Sequence, residues 1–184
     1  SAKPLTFEND DWPYWRGHRS STLSPKSILD ETSEPIWKVP IPGLGHSTPV
    51  VRGNKLFLTT CVDDSVRLLS IDRKTGRTIR ETELHRGGLM AKHEKNSHAS
   101  STPACDGERV YCATAVGDAI WVVAVSEAGE VVWRKEAGPY VSEWGYGSSV
   151  SIDGSKVYVV GDNRGSKLGR IRATSFLAAM DRNS

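Results

Sequence analysis

The chain lacks an apolar run long enough to cross a membrane as a helix: its longest, "AIWVVAV" from Ala119 to Val125, is roughly a third of the ~20 residues a span needs. It also lacks a surplus of one charge. Its 184 residues carry 24 basic and 22 acidic side chains, well mixed, for a net +2, which gives nucleic acid as a partner no support. The one basic cluster, Arg164, Lys167, Arg170 and Arg172, has no interleaved aromatics and reads as a solvated loop. Cysteine is scarce. Cys61, Cys105 and Cys112 form an odd set without C-x-x-C spacing. Cys105 and Cys112 sit in apolar, strand-like runs, which predicts buried free thiols. No segment keeps i, i+3, i+4, i+7 spacing for three turns; "KSILDET" around Ile28 is the best candidate, for one or two turns. Catalytic signatures are missing too: no G-x-S-x-G elbow, P-loop, H-E-x-x-H, or G-x-G-x-x-G after a strand. The "GLG" at Gly43 reads as a glycine-flexible entry to a strand. Ser1–Asp10 has neither the basic start nor the apolar middle of a signal peptide; an export signal, if the protein carries one, is expected to have been removed.

What the sequence has is turns and repetition. Seventeen glycines and nine prolines suit a chain of short strands. "STPVVRGNKLFLTT" from Ser47 returns 54 residues later as "STPACDGERVYCAT" from Ser101, and more weakly as "SSVSIDGSKVYVVG" from Ser148. Each copy reads strand, turn at Gly53, Gly107 or Gly154, strand. A second element repeats in step: "LSIDRKTGRTIR" is matched by "VAVSEAGEVVWR" from Val123 and by "AAMDRNS" from Ala178, with Asp72, Ser126 and Asp181 equivalent. Two hairpins per unit are the content of one four-stranded propeller blade, so the expected fold is an all-β propeller with blades near 36–85, 98–140 and 145–184. Closed propellers need roughly four to eight blades, so three make an incomplete ring. The expectation is the N-terminal part of a longer protein, whose exposed sheet faces favour self-association.

These residues also carry a family resemblance. A-x-D-x-x-T-G-x-x-x-W is the docking-tryptophan motif of the quinoprotein propellers, whose enzymes bind pyrroloquinoline quinone. "SIDRKTGRTIR" resembles it with Ser70 for alanine and Arg80 for tryptophan, and "AVSEAGEVVWR" keeps Ala124, Gly129 and Trp133 with Ser126 for aspartate. The resemblance implies a structural role for Asp72, Thr75, Gly76, Gly129, Trp133 and Asp181, the aspartate and threonine fixing the turn, glycine taking φ > 0 and tryptophan packing between blades. "DWPYWRGHRSS" from Asp11 is similar to the W-P-x-W-R-G segment that starts many secreted bacterial proteins of this type. That similarity makes 1–35 an N-terminal segment that packs on or closes the ring and implies an extracytoplasmic location. Trp12 and Trp15 should therefore be docked.

Candidate binding residues lie in the links between units. "MAKHEKNSHASSTP" holds His93, Asn96 and His98 on a long loop entering a blade; His46 precedes the equivalent strand of the previous unit, and Trp144 that of the next. All five are expected at one mouth of the propeller, taking a protein partner or a small ligand. His93 and His98 have a spacing compatible with a metal but lack further ligands, and the adjacent Asp63 and Asp64 read as a polar strand-to-strand loop without EF-hand spacing. No catalytic residue and no cofactor are expected. The leading reading is a non-catalytic scaffold like the outer-membrane assembly lipoproteins built from this repeat. Its rival is part of an alcohol or sugar dehydrogenase dependent on pyrroloquinoline quinone and Ca²⁺, for which the adjacent cysteines typical of such enzymes are lacking here. A third reading is the sensor propeller of a larger, kinase-related protein.

Overall fold

The computed structural model describes residues 3–8, 10–17, 34–163 and 173–183. The helix expected near Ile28 and the basic cluster at 164–172 lie outside them. All regular structure among the described residues is β. The first sheet holds β1 (Val50–Arg52), β2 (Lys55–Val62), β3 (Ser65–Asp72) and β4 (Thr78–Arg86), ordered β1-β2-β3-β4. The second repeats that order with β5 (Ala104–Cys105), β6 (Arg109–Val116), β7 (Ala119–Ser126) and β8 (Val131–Pro139). The third holds β9 (Ser151–Asp153), β10 (Lys156–Gly161) and β11 (Phe176–Asp181). Every pairing within these sheets is antiparallel. The architecture is that of an incomplete β-propeller.

Stacking of the sheets explains the hydrophobic pattern. One core cluster, with Phe57, Leu68, Leu84, Val110, Cys112 and Val123, joins the first two sheets; another, with Tyr111, Ala113, Val122, Ala124, Val157 and Val159, joins the second and third. The middle sheet is therefore covered on both faces. That is why β7 supplies the longest apolar run, where a sheet with one wet face would alternate. All three cysteines are buried and free, and burial pushes the Cys105 thiol up to about 12, so it stays protonated and unreactive.

The turns within each sheet lock together at one end of the stack. Arg73 N donates to Asn54 O at 2.9 Å, Glu127 N to Glu108 O at 3.2 Å, and Arg182 N to Ser155 O at 2.9 Å. Asp72 organises its turn by accepting from Thr75 N and Thr75 Oγ1, both at 2.8 Å, and from Asn54 Nδ2 at 2.7 Å. The long links 87–103 and 140–150 run at the opposite end, tied to the other turns by Gly87 N to Asp64 O and Tyr140 N to Asp118 O.

Blades dock through one repeated contact. The indole N–H of Trp133 donates to Arg182 O at 3.0 Å, across to the turn of the third sheet. The indole of Trp37 donates to Arg73 O at 3.0 Å and lies over Gly76, where a Cβ would approach the ring to 2.7 Å. Arg80 breaks the sequence motif yet keeps the position, its aliphatic stem lying over Gly129 where a Cβ would collide with it. A slimmer side chain leaves space: a cavity of about 180 Å³ opens beside Arg80, lined by Phe57, Leu68, Ile79 and Val125 among others. Arg80→Trp should fill it and stabilise the fold by about 0.5–2 kcal/mol, read as a higher denaturation midpoint; a lower midpoint would mean that the blades are already in closest contact there.

The N-terminal segment crosses the inner edges of the sheets. Trp12 and Val51 exchange backbone hydrogen bonds at 2.9 and 2.8 Å, and Cys105 N donates to Pro13 O at 2.7 Å. Buried Asp11 accepts from Arg52, from Gly53 N at 2.8 Å and from Glu8 N at 2.7 Å. The described part of this segment adds no strand to the third sheet, since the backbone edges it meets are those of β1 and β5. Trp15 corrects the sequence expectation: it is 54% exposed, with the Arg16 guanidinium over its ring, while Trp12 is held by its backbone and packs on Gly17. Burial alone would raise the Asp11 pKa, but its hydrogen bonds and the Arg52 charge outweigh that and lower it. The sign follows from linkage: a depressed folded pKa stabilises fully above the ordinary value of 3.8 and is lost as pH falls through the folded value. Acid titration of the denaturation midpoint should therefore show a fall below about pH 4 that is smaller in Asp11→Asn.

Candidate functional site

The link between the first and second sheets folds into a tight turn at its exposed end. Asn96 N donates to His93 O at 2.9 Å, and Lys95 N to His93 Nδ1 at 3.2 Å. Asn96 is the hub. Its Oδ1 accepts from Ser97 N at 2.8 Å and Ser100 Oγ at 2.5 Å, while its Nδ2 donates to Trp144 O at 2.6 Å in the next link. The second link closes on the first because Gly145, at φ 81°, brings its backbone against Asn96 and Lys92; a Cβ there would stand 2.8 Å from Asn96 Nδ2. The rings of His93 and Trp144 then stack, centroids 4.9 Å apart and planes 26° from parallel.

Beneath this contact Tyr140 and Tyr146 are buried and meet edge to face at 5.3 Å, with Tyr140 Oη donating to Gly145 O at 3.0 Å. Trp144 is left with a supported ring and 52% exposure. Two shallow depressions flank it: one of about 370 Å³ lined by residues including Asn96, Ser142, Ser148 and Asp162, and one of about 380 Å³ between Lys92, His93, Glu94 and Glu143. His46 joins from the segment that leads into β1, its Nδ1 lying 3.4 Å from Ser100 Oγ.

All five residues singled out from the sequence lie on links at this end of the stack, but His98 stands apart from the contact of His93 with Trp144. Its ring faces a separate cavity of about 580 Å³ lined by residues including Gly43, Leu44, Cys61, Leu89 and Lys92. Burial lowers the His98 pKa, and the Lys92 charge adds to that. His93 and His98 therefore face different spaces, and among the described residues no group of three or more His, Cys, Asp or Glu is placed to hold a metal. Asp63 and Asp64 form the β2–β3 turn, where Asp64 is paired with Arg86 at 3.0 Å.

The geometry defines a stack of propeller blades of the quinoprotein-like repeat, bearing an aromatic patch on its linking loops. A family model described as outer membrane protein assembly factor BamB matches residues 24–122, just over half of the chain, and the chain belongs to that family. Among solved structures it is similar to BamB from Moraxella catarrhalis, at 15% identity and a TM-score of 0.50, covering 78% of this chain and 39% of that one. The chain thus spans about two-fifths of that protein's length. No curated protein matches it.

Sequence reasoning missed Trp37, Arg182 and Asp106. "EPIW" at Glu34–Trp37 parallels "EVVW" at Glu130–Trp133, a signal that could have identified Trp37. Nothing comparable marks Arg182, whose role depends on a carboxylate 76 positions away.

Proposed function

We propose that this chain is part of a non-catalytic, extracytoplasmic scaffold that binds a protein partner through the end of the propeller carrying Trp144. The observation that carries this reading is the exposed indole of Trp144, stacked on His93 and set on a link that Asn96 and Tyr140 fix by hydrogen bonds to the Trp144 and Gly145 carbonyls. An aromatic ring fixed before binding loses little conformational entropy and is the kind of group that anchors protein interfaces. Lys92, Glu94 and Glu143 surround it with mixed charge, which suits a polar rim. The fitting partner is a protein surface that presents an aliphatic or aromatic side chain to the indole. Membership of a family named for outer membrane protein assembly supports an envelope location and a protein as ligand. No helix among the described residues is long and apolar enough to cross a membrane.

A photo-crosslinker at Glu143 should capture a discrete envelope protein, and Trp144→Ala should abolish that capture while a crosslinker at Asn54, at the other end of the stack, captures nothing. Dye-linked oxidation of an alcohol or sugar on adding pyrroloquinoline quinone and Ca²⁺ would overturn the reading.

A further inference from the structure

The contact that docks one blade on the next occurs three times among the described residues, and the middle one differs. Trp37 and Trp133 each donate an indole N–H at 3.0 Å to the carbonyl one residue past a turn aspartate, Arg73 O after Asp72 and Arg182 O after Asp181. In the second sheet the equivalent carbonyl is that of Glu127, whose N–H donates to Glu108 O as that of Arg73 donates to Asn54 O. No indole reaches it. Glu127 O accepts instead from Lys55 Nζ at 3.3 Å, and Arg80 stands where the ring would be, its stem over Gly129.

That exchange leaves the junction unfilled. The cavity of about 180 Å³ beside Arg80 reaches Phe57, Leu68 and Val125, all buried in the core cluster that joins the first two sheets, and Ser70, Thr82 and Glu127 add polar groups to its lining. An apolar cavity of about 150 Å³ is enough to admit a benzene ring. Both sheets that bound it have four strands, so the gap comes from the side chain at position 80 and not from a missing neighbour. The Arg80 guanidinium has no hydrogen bond or ion pair among the described residues, so it can move aside without breaking one.

We propose that this cavity binds a small planar aromatic heterocycle carrying an N–H, of the size and polarity of indole, in the place that tryptophan takes at the other two contacts. The ring enters between Arg80 and the core side chains. Its negative π face meets the guanidinium, a charge complementarity that strengthens as water is excluded, and its N–H turns to Glu127 O in place of the long contact from Lys55. The bound ring ties β4 to the turn of the second sheet as Trp133 ties β8 to that of the third. The site lies at the turn end of the stack, away from Trp144, and is independent of the partner-binding role proposed there.

Indole itself is the probe. Titrated into the 184-residue chain, it should bind with a Kd of about 1 mM or below. Binding should shift the amide resonances of Val125, Ser126 and Gly129 and raise the denaturation midpoint. Arg80→Ala, which removes the stem and widens the site, should bind several-fold more tightly. Arg80→Trp, which fills the site from within the chain, should not bind. Circular dichroism checks the fold of both variants, and Arg80→Ala decides the matter if Arg80→Trp does not fold. Resonances unmoved by indole in both the wild-type chain and Arg80→Ala would overturn the proposal. So would equal binding to a folded Arg80→Trp, or shifts confined to residues around Trp144.

Discussion

Replacing Arg182 by methionine is expected to destabilise the fold by about 3–5 kcal/mol, because it breaks a buried ion pair from one side only. The Arg182 and Asp106 side chains are 4% and 7% exposed. The guanidinium donates to Asp106 Oδ2 at 2.8 Å and to Lys3 O at 2.7 Å, so it ties the third sheet to the second and to the N-terminal segment. Without it the carboxylate keeps Tyr111 Oη at 2.7 Å and its own turn amides at 2.8–2.9 Å, but no cation. Denaturant unfolding at neutral pH reads the loss. Adding Asp106→Asn, which removes the charge while leaving a turn acceptor, should recover part of it, so the double variant should be less destabilised than the two single losses summed. A loss under about 1 kcal/mol for Arg182→Met would place the pair in solvent and contradict its burial.

Trp133→Ala should cost about 3 kcal/mol, at the low end for a large aromatic because the ring is only partly buried. Two terms contribute. The ring packs on the core between the second and third sheets, 6.0 Å from the Tyr111 ring, and its N–H satisfies Arg182 O. Trp133→Phe separates them: it keeps most of the packing and loses the hydrogen bond, for about 1 kcal/mol. Equal losses for Ala and Phe in thermal and denaturant unfolding would assign the whole effect to the hydrogen bond.

Arg80 shows how far the repeat alone could be read. In sequence it is a departure from the motif, yet its stem covers Gly129 as Trp37 covers Gly76. The position is set by the register of β3 with β4, where Arg80 faces Ser70, and not by the identity of the side chain. His93 and His98 teach the opposite lesson. Five residues apart on one loop, they are separated because the chain turns at Asn96, sending one ring to Trp144 and the other to the cavity beside Cys61. The stack of His93 on Trp144 likewise depends on Gly145 letting one link approach the other.

The sequence by itself determined the three repeated units, their strands and the turn glycines, because hairpins are local: alternation, a glycine at φ > 0 and a short turn specify them within a dozen residues. It also placed His46, Asn96 and Trp144 in equivalent links. Only the tertiary structure decided which sheet face meets which, that the N-terminal segment crosses the inner edges of β1 and β5, and that Arg182 is buried against Asp106. Those contacts join residues tens of positions apart, and their energy depends on desolvation and on the distance between two charges, neither of which leaves a periodic trace in the sequence.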